Sequence, residues 1–128
     1  MESFLFTVHC DNTRQLVWTT ATGPLSREGF IRMVTAARRH SGELGWPLLY
    51  DMRQMYLPDQ LLLNEVISFV KGSLGNDGVR QVRSASLVVR ELLGEEIWDI
   101  YRFASRLAGL EWALFTDEQQ AIRWLKSS

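Results

Sequence analysis

The sequence contains very little cysteine or histidine. Cys10 is the single cysteine among 128 residues, so neither an intramolecular disulfide nor a zinc site made of several cysteines can form. His9 and His40 are the only histidines, which argues against a cysteine–histidine or metal site. Such cysteine usage is typical of proteins that fold in a reducing compartment, so we expect a cytoplasmic location.

The chain also lacks a charge imbalance and a long apolar run. Its formal net charge is -1 and its sequence pI is about 6.1. Nucleic-acid-binding proteins usually carry a basic excess, so we expect no nucleic-acid partner. No apolar run approaches the roughly 20 residues that a membrane-spanning helix needs, and Glu2 is atypical of a signal peptide. We therefore expect no transmembrane segment and no signal peptide.

What the sequence does contain is the composition of an ordinary globular domain. Hydrophobic residues make up 46% of the chain and charged residues 23%. A chain of 128 residues can bury a sizeable core, whereas two domains of half that length would each have a marginal one. We therefore expect a single domain that spans residues 1–128.

The first half of the chain predicts a hairpin, a helix and a central strand. FLFTVHCD and QLVWTTATG are rich in β-forming residues and flank the turn residues DNTR, which predicts a hairpin. Ser26 is a suitable N-cap for a helix that we expect to end near His40, before the loop SGELGW. PLLYD is apolar on both faces, as central strands of parallel sheets are, and we expect this strand to end at Asp51.

The second half alternates helices with strands. Pro58 suits the first turn of a helix that continues to about Ser73 and carries a wide apolar arc. SASLVVR predicts a short buried strand, and a helix from Ile97 to Ala108 follows. WALFTD predicts the last strand, with Asp117 as the N-cap of the terminal helix EQQAIRWLK. The order β-β-α-β-α-β-α-β-α predicts an α/β fold with a mixed, mostly parallel sheet and helices packed on it.

Two patterns are similar to catalytic sites but lack the necessary partners. Asp51 lies where a receiver domain carries its phosphoacceptor, yet such a site also needs paired acids for magnesium and a lysine after the last strand. Here Asp11 stands alone, and EWALFTDE contains no lysine. In the triplet His9-Cys10-Asp11, successive strand residues point to opposite faces, so Cys10 shares a face with neither neighbour. We therefore expect no enzymatic activity, no cofactor and no metal.

Three local motifs resemble those of SpoIIAA-like domains, the STAS/SEC14 group of small bacterial domains. The motifs are the triplet Asp51-Met52-Arg53, the strand SASLVV before a helix with the pair Arg102-Phe103, and the ending LEWALFTDEQQAIRWL. In that family, as here, the final strand is followed by a capping residue and a helix that ends in Trp-Leu. Because the motifs consist of core and capping residues, the resemblance implies the fold more than an activity.

The resemblance implies a mixed sheet with helices and no catalytic site. In the anti-sigma-antagonist branch of the family, a switch serine opens the helix after the central strand. The corresponding stretch MRQMYLPDQ contains neither serine nor glycine, so the resemblance gives no basis for a phosphoserine switch here. Instead we expect Asp51 to accept backbone N–H bonds or to pair with Arg53.

The first functional hypothesis is a non-enzymatic STAS-like regulatory or interaction module. It would bind a protein partner, or itself as a homodimer, because the apolar residues in and before the second predicted helix exceed what a two-layer fold covers. The predicted interface residues are Met52, Tyr56, Leu57, Leu62 and Phe69.

The second hypothesis is a carrier or sensor of a small lipid or acyl ligand. The SEC14 side of the resemblance implies an apolar pocket, and ligands of parallel sheets favour the carboxyl ends of the strands. An arginine at that position would meet an anionic head group. The predicted ligand-binding residues are Asp51, Arg53, Met55, Arg90, Trp98 and Tyr101.

Overall fold

A five-stranded sheet forms the centre of the computed structural model, which describes residues 3–57, 83–107 and 111–127. The strands are β1 (Leu5–Asp11), β2 (Leu16–Pro24), β3 (Leu48–Tyr56), β4 (Ser84–Leu87) and β5 (Trp112–Phe115). The described helices are α1 (Arg27–Leu44), α2 (Glu96–Leu107) and α3 (Glu118–Lys126), and a 3₁₀ turn spans Arg90–Leu92. The sheet order is β1-β2-β3-β4-β5, with β1 antiparallel to β2 and the other neighbours parallel. The α/β fold is confirmed, and the helix predicted from Pro58 to Ser73 lies outside the described residues.

The opening hairpin forms because a short turn brings two β-rich segments side by side. β1 pairs antiparallel with β2 through all seven of its residues. The Asp11 carboxylate accepts hydrogen bonds from the backbone N–H groups of Thr13 and Arg14, at 3.0 and 3.1 Å. An aspartate that bonds its own following backbone is a common turn device. Asp11 therefore stabilises the hairpin turn.

Helix α1 begins as predicted and ends later than predicted. The Ser26 hydroxyl accepts a hydrogen bond from the third backbone N–H after it, at 3.1 Å, which caps the helix. The helix continues past His40 to Leu44, so the expected loop at SGELGW is wrong in its first part. Ser41 is fully buried, and its hydroxyl donates to a carbonyl of the following loop at 2.5 Å. Gly45, at φ 72°, then ends the helix in the left-handed conformation.

The sheet has a hydrophobic core on each face. The α1/α2 core lies under helices α1 and α2, and Leu48 and Tyr50 of β3 belong to it. The α3 core lies under helix α3, and Leu49 of β3 belongs to it together with Ala121 and Leu125 of the helix. Alternate residues of β3 thus face two different cores. This confirms the prediction that PLLYD forms a central strand that is buried on both sides.

Strand β3 is longer than predicted. It runs past Asp51 to Tyr56, so the expectation that the strand ends at Asp51 is wrong. The continuous apolar run breaks off at Asp51, but the polar residues that follow interrupt the apolar pattern on one face only, since Met52 and Met55 remain buried. β2 supplies the backbone partners of this second half, as far as Pro24 opposite Tyr56.

A β-bulge interrupts the second half of β3. Thr20 of β2 lies opposite Asp51. Thr22, two residues later, lies opposite Gln54, so β3 contains one more residue than β2 between these pairs. A bulge of this kind shifts the alternation of side chains by one position. As a result, Arg53 and Gln54 are both exposed although they are adjacent in the chain.

Candidate functional site

Three charged side chains meet on the α3 face of the sheet, beside the bulge. Arg53 Nε donates to Asp51 Oδ1 at 2.9 Å, and Arg53 Nη2 donates to Asp51 Oδ2 at 2.7 Å. The same Nη2 donates to Oε1 of Glu118, in the first turn of α3, at 3.2 Å. We call these three residues the Arg53 cluster. The expected pairing of Asp51 with Arg53 is therefore present in the structure.

The Arg53 cluster is electrostatically satisfied without a ligand. The hydrogen bonds that the Arg53 guanidinium donates to Asp51 are the largest cause that raises its pKa, and partial burial opposes that rise. The charge of Asp51 and the contact with Glu118 raise the pKa further. Two carboxylates and one guanidinium give the cluster a formal charge of about −1, which disfavours an additional anion. The Arg53 cluster therefore connects β3 to α3.

The residues predicted to bind a ligand lie on different sides of the sheet. Met55, Trp98 and Tyr101 belong to the α1/α2 core. Asp51 and Arg53 lie on the opposite face, in the Arg53 cluster. Arg90 is exposed in the 3₁₀ turn after β4. A ligand in the α1/α2 core would therefore not reach the Arg53 cluster on the other face of the sheet.

Two of these residues belong to an aromatic cluster in the α1/α2 core. Trp98 stacks on Trp112 with ring centroids 6.5 Å apart. Tyr101 lies 4.8 Å from Trp112 and 6.0 Å from Phe30, between ring centroids. The Nε1 groups of both tryptophans donate hydrogen bonds, Trp98 to a carbonyl of the 3₁₀ turn at 2.6 Å and Trp112 to Ser86 Oγ at 2.9 Å. Both indoles are therefore buried with their polar atoms satisfied.

A narrow space remains between α1, α2 and the sheet. It is not wide enough to admit a water molecule. Its walls are formed by Phe30, Met33, Val34, Tyr50, Met52, Ser86 and Tyr101. Burial raises the pKa of Tyr101 to about 12, while the positive charge of Arg38 opposes the rise. The Tyr101 phenol is therefore neutral at physiological pH and can donate or accept a hydrogen bond.

One buried hydroxyl near this space is unsatisfied. Thr19 is fully buried on β2, opposite Tyr50 of β3. Its Oγ1 has no hydrogen-bond partner within the described part of the chain. A buried hydroxyl without a partner costs about 1–3 kcal/mol. The α1/α2 core therefore contains a polar atom that lowers the stability of the fold.

The residues predicted for a protein interface differ in their exposure. Tyr56 is exposed at the end of β3, and Leu57 after it is half-buried. Met52 is buried in the α1/α2 core. Leu62 and Phe69 lie outside the described residues. Tyr56 and Leu57 are thus the described members of this set that reach the surface.

Apolar side chains reach the surface at the carboxyl end of the parallel strands. Tyr56 is 44% exposed at the end of β3, and Leu93 is 45% exposed in the turn after β4. Leu57 and Leu92 are half-buried beside them in the chain and pack against the α1/α2 core. We call these four residues the carboxyl-edge surface. Sequence reasoning missed Leu92 and Leu93 because they lie at the end of a 3₁₀ turn and just after it, and so short a segment has too few residues for a periodic pattern.

Sequence reasoning also missed Arg83, which holds the end of α3. Its Nη1 donates to the carbonyl oxygens of Trp124 and Ser127, at 2.8 and 2.7 Å. Its Nε donates to Glu111 Oε2 at 2.8 Å, and its guanidinium lies 5.1 Å from the centroid of the Trp124 ring. Arg83 therefore connects the start of β4 to the carboxyl end of α3.

Within residues 3–57, 83–107 and 111–127, no group of three or more His, Cys, Asp or Glu side chains is placed to hold a metal ion. Over the same ranges, no helix combines the length and the apolar character that crossing a membrane requires.

Comparison with known proteins identifies the fold. No family model matches the sequence, and no curated protein matches it. Among solved structures, the chain is similar to an uncharacterised protein of the DUF3478 family with a SpoIIAA-like fold, from Shewanella loihica PV-4. The TM-score is 0.59 at 21% sequence identity, and the match covers 98% of each chain. The SpoIIAA-like resemblance found in the sequence is therefore confirmed at the level of the fold.

Proposed function

We propose that this chain is a non-enzymatic STAS-like regulatory or interaction module that binds a protein partner through the carboxyl-edge surface. The observation that carries the proposal is the exposure of Tyr56 and Leu93, 44% and 45%, at the same end of the sheet. A single exposed apolar residue is ordinary, but several at one end of a fold are a reason to look for an interaction site. In parallel sheets the carboxyl ends of the strands are also the usual binding end.

The carboxyl-edge surface has the composition of a small interface. Tyr56 offers a large ring with a polar hydroxyl, the type of side chain that most often anchors a partner. Leu57 and Leu92 are half-buried and would form the floor beneath an inserted side chain. Arg90 and Glu91, both exposed in the 3₁₀ turn, would form part of a polar rim. An apolar centre with a charged rim fits a protein partner.

A matched pair of leucine substitutions tests this proposal. Leu93→Asp places a charge in the carboxyl-edge surface, and we expect it to weaken partner binding at least tenfold, about 1.4 kcal/mol. Leu44→Asp is the control, because Leu44 is 42% exposed but lies at the end of α1, before the amino end of β3. The measurement is quantitative mass spectrometry of proteins that the tagged full chain captures from its native host.

The control variant should retain the captured partner at the wild-type level. Circular dichroism of both variants will show whether they remain folded, since both substitutions are at exposed positions. A partner that Leu93→Asp retains as well as the wild type does would contradict the proposed surface.

A second candidate function is the binding of a small lipid or acyl chain in the α1/α2 core. The observation that favours it is the narrow, mainly apolar space between α1, α2 and the sheet. Met33 and Met52 line this space, and methionine side chains adapt readily to a new neighbour. The neutral Tyr101 hydroxyl would offer a hydrogen bond to a polar group. Binding would require α1 and α2 to separate, because the space does not admit a water molecule.

Native mass spectrometry of the full chain, purified without detergent, tests this second function. A bound lipid should add a few hundred daltons to the native mass and should leave on denaturation. Titration with dodecanoic acid should then give a saturable one-to-one adduct, which Met52→Trp should weaken because the larger ring fills the space. If the native and denatured masses agree and dodecanoic acid gives no adduct, the lipid function is wrong.

A further inference from the structure

Among the described strands, β1 has a pairing partner on one side of its backbone only. It lies at the edge of the sheet, and β2 is its pairing partner among the described strands. All seven residues pair with β2 in continuous register, without a bulge. A regular edge strand of this length presents a row of backbone donors and acceptors to which a further strand can add.

The sequence of β1 lacks the features that normally protect an edge. Such features are proline, lysine, a bulge or a very short strand, and LFTVHCD has none of them. Its charged residue, Asp11, lies at the end of the strand and is engaged by the hairpin turn. The opposite edge, β5, is protected because it has four residues and acids on both sides, Glu111 and Asp117. Of the two described edges, β1 is thus the open one.

Strand β1 also carries apolar side chains that a second strand could cover. Leu5 is 64% exposed and points away from the α1/α2 core. Phe6 and Val8, with the opposite orientation, pack against that core but are half-buried. A strand added at this edge would cover apolar surface on both faces of β1, because side chains alternate across a strand. Backbone pairing and apolar burial therefore favour the same addition.

We infer that the β1 strands of two copies of this chain pair antiparallel about a twofold axis and join their two sheets into one. Directly opposite residues of two antiparallel strands point to the same face of the sheet. Residues of one strand share a face only when they are an even number of positions apart, so the twofold axis must pass through a residue, which then lies opposite its own copy. With the axis at Thr7, Phe6 of one copy lies opposite Val8 of the second copy. Leu5 then lies opposite His9 of the second copy, and no like charges meet. The half-buried apolar side chains of the two copies thus cover each other.

An axis at Val8 gives a poorer match. It would place the exposed Leu5 opposite the Asp11 carboxylate of the second copy, which loses apolar burial and adds a desolvated charge. Two seven-residue strands form a small interface, below the roughly 1,000 Å² of a stable complex. The dimer should therefore depend on concentration, with a Kd of roughly 1–100 µM.

Lysine at the twofold axis tests the pairing. Thr7 is exposed, and Thr7→Lys would place two ammonium groups opposite each other at the centre of the interface. Thr35→Lys is the control, because it makes the same change at an exposed position of α1. Sedimentation velocity of the full chain over roughly 1–500 µM, a range that spans the expected Kd, gives the masses. We expect the wild type and Thr35→Lys to become dimers, and the Kd of Thr7→Lys to rise at least tenfold.

Two results would overturn the inference: a wild type that stays monomeric over the whole range, or a Thr7→Lys variant that dimerises as well as the wild type does. The partner-capture experiment with Leu93→Asp is independent of both results, since it concerns the carboxyl-edge surface. A monomeric chain that still captures its partner would therefore overturn the dimer and leave the proposed function intact.

A cysteine at the axis gives a second test, which does not require the protein to fold with a lysine at position 7. Opposite residues of antiparallel strands have Cβ atoms about 4.5–5.5 Å apart, close to the distance a disulfide spans. In a Cys10→Ser background, Thr7→Cys should form a covalent dimer on mild oxidation with diamide. Thr35→Cys in the same background should remain monomeric. Absence of a covalent Thr7→Cys dimer at concentrations where sedimentation shows a dimer would rule out an axis at Thr7.

Discussion

Replacing Trp112 with alanine is expected to lower the free energy of unfolding by about 3–5 kcal/mol, the usual cost of removing a buried tryptophan. Trp112 is nearly buried at the start of β5, where its ring contacts those of Trp98 and Tyr101, at centroid distances of 6.5 and 4.8 Å. Its Nε1 also donates to the buried Ser86 Oγ at 2.9 Å. Alanine would therefore leave a cavity among the aromatic rings and remove a buried hydrogen bond.

Urea unfolding followed by circular dichroism measures this effect, and two variants serve as controls. Trp112→Phe keeps an aromatic ring but loses the donor to Ser86, so it should cost less, about 1–2 kcal/mol. Phe103→Ala changes an exposed aromatic of α2 and should stay within about 0.5 kcal/mol of the wild type. A Trp112→Ala variant that is as stable as Phe103→Ala would show that the aromatic cluster does not form the core.

The Gly23→Ala variant is expected to lose about 2–4 kcal/mol of stability, although it adds a single methyl group. Gly23 has φ 89°, a conformation that costs a residue with a Cβ atom about 1–2 kcal/mol. A Cβ at this position would also lie 2.4 Å from the Ser3 carbonyl oxygen. The atom that would clash belongs to the Ser3 backbone and not to the end of a flexible side chain. The chain before β1 would therefore have to move.

Gly45→Ala separates the two causes. Gly45 also has a positive φ, 72°, but nothing lies within 4 Å of a Cβ placed there. Its alanine variant should therefore show the conformational cost alone, about 1–2 kcal/mol. Thermal and urea unfolding of both variants give the difference, which measures the clash with Ser3. Equal losses would mean that the Ser3 backbone yields at no cost.

The parts of the fold that depend on local signals could be predicted from the sequence. Ser26 and Asp117 were identified as N-caps because a helix start needs a side-chain acceptor near its first turn, and both accept backbone N–H groups. The hairpin and the central strand were predicted because β-forming residues and apolar runs are local as well. The length of β3 could not be predicted in this way, because its second half depends on backbone partners from β2.

The candidate site shows the same limit. The pairing of Asp51 with Arg53 was predicted because the two residues are close in the chain. The contact of Arg53 with Glu118 joins residues 65 apart, and that of Arg83 with the Trp124 carbonyl joins residues 41 apart. No local pattern reports such contacts. The sequence also could not show on which face of the sheet each predicted ligand-binding residue lies. The face against which a helix packs is determined by the assembled sheet and not by the local sequence.

The two arginines that bind α3 determine where this helix can dock. Arg53 contacts Glu118 in the first turn of α3, while Arg83 contacts carbonyl oxygens at the carboxyl end of the same helix. Ala121 and Leu125 provide the apolar contacts between these ends. A shift of α3 by one turn along the strands, about 5.4 Å, would break the polar contacts at both ends together. The terminal helix therefore has one docking register on the sheet, and its position does not depend on apolar packing alone.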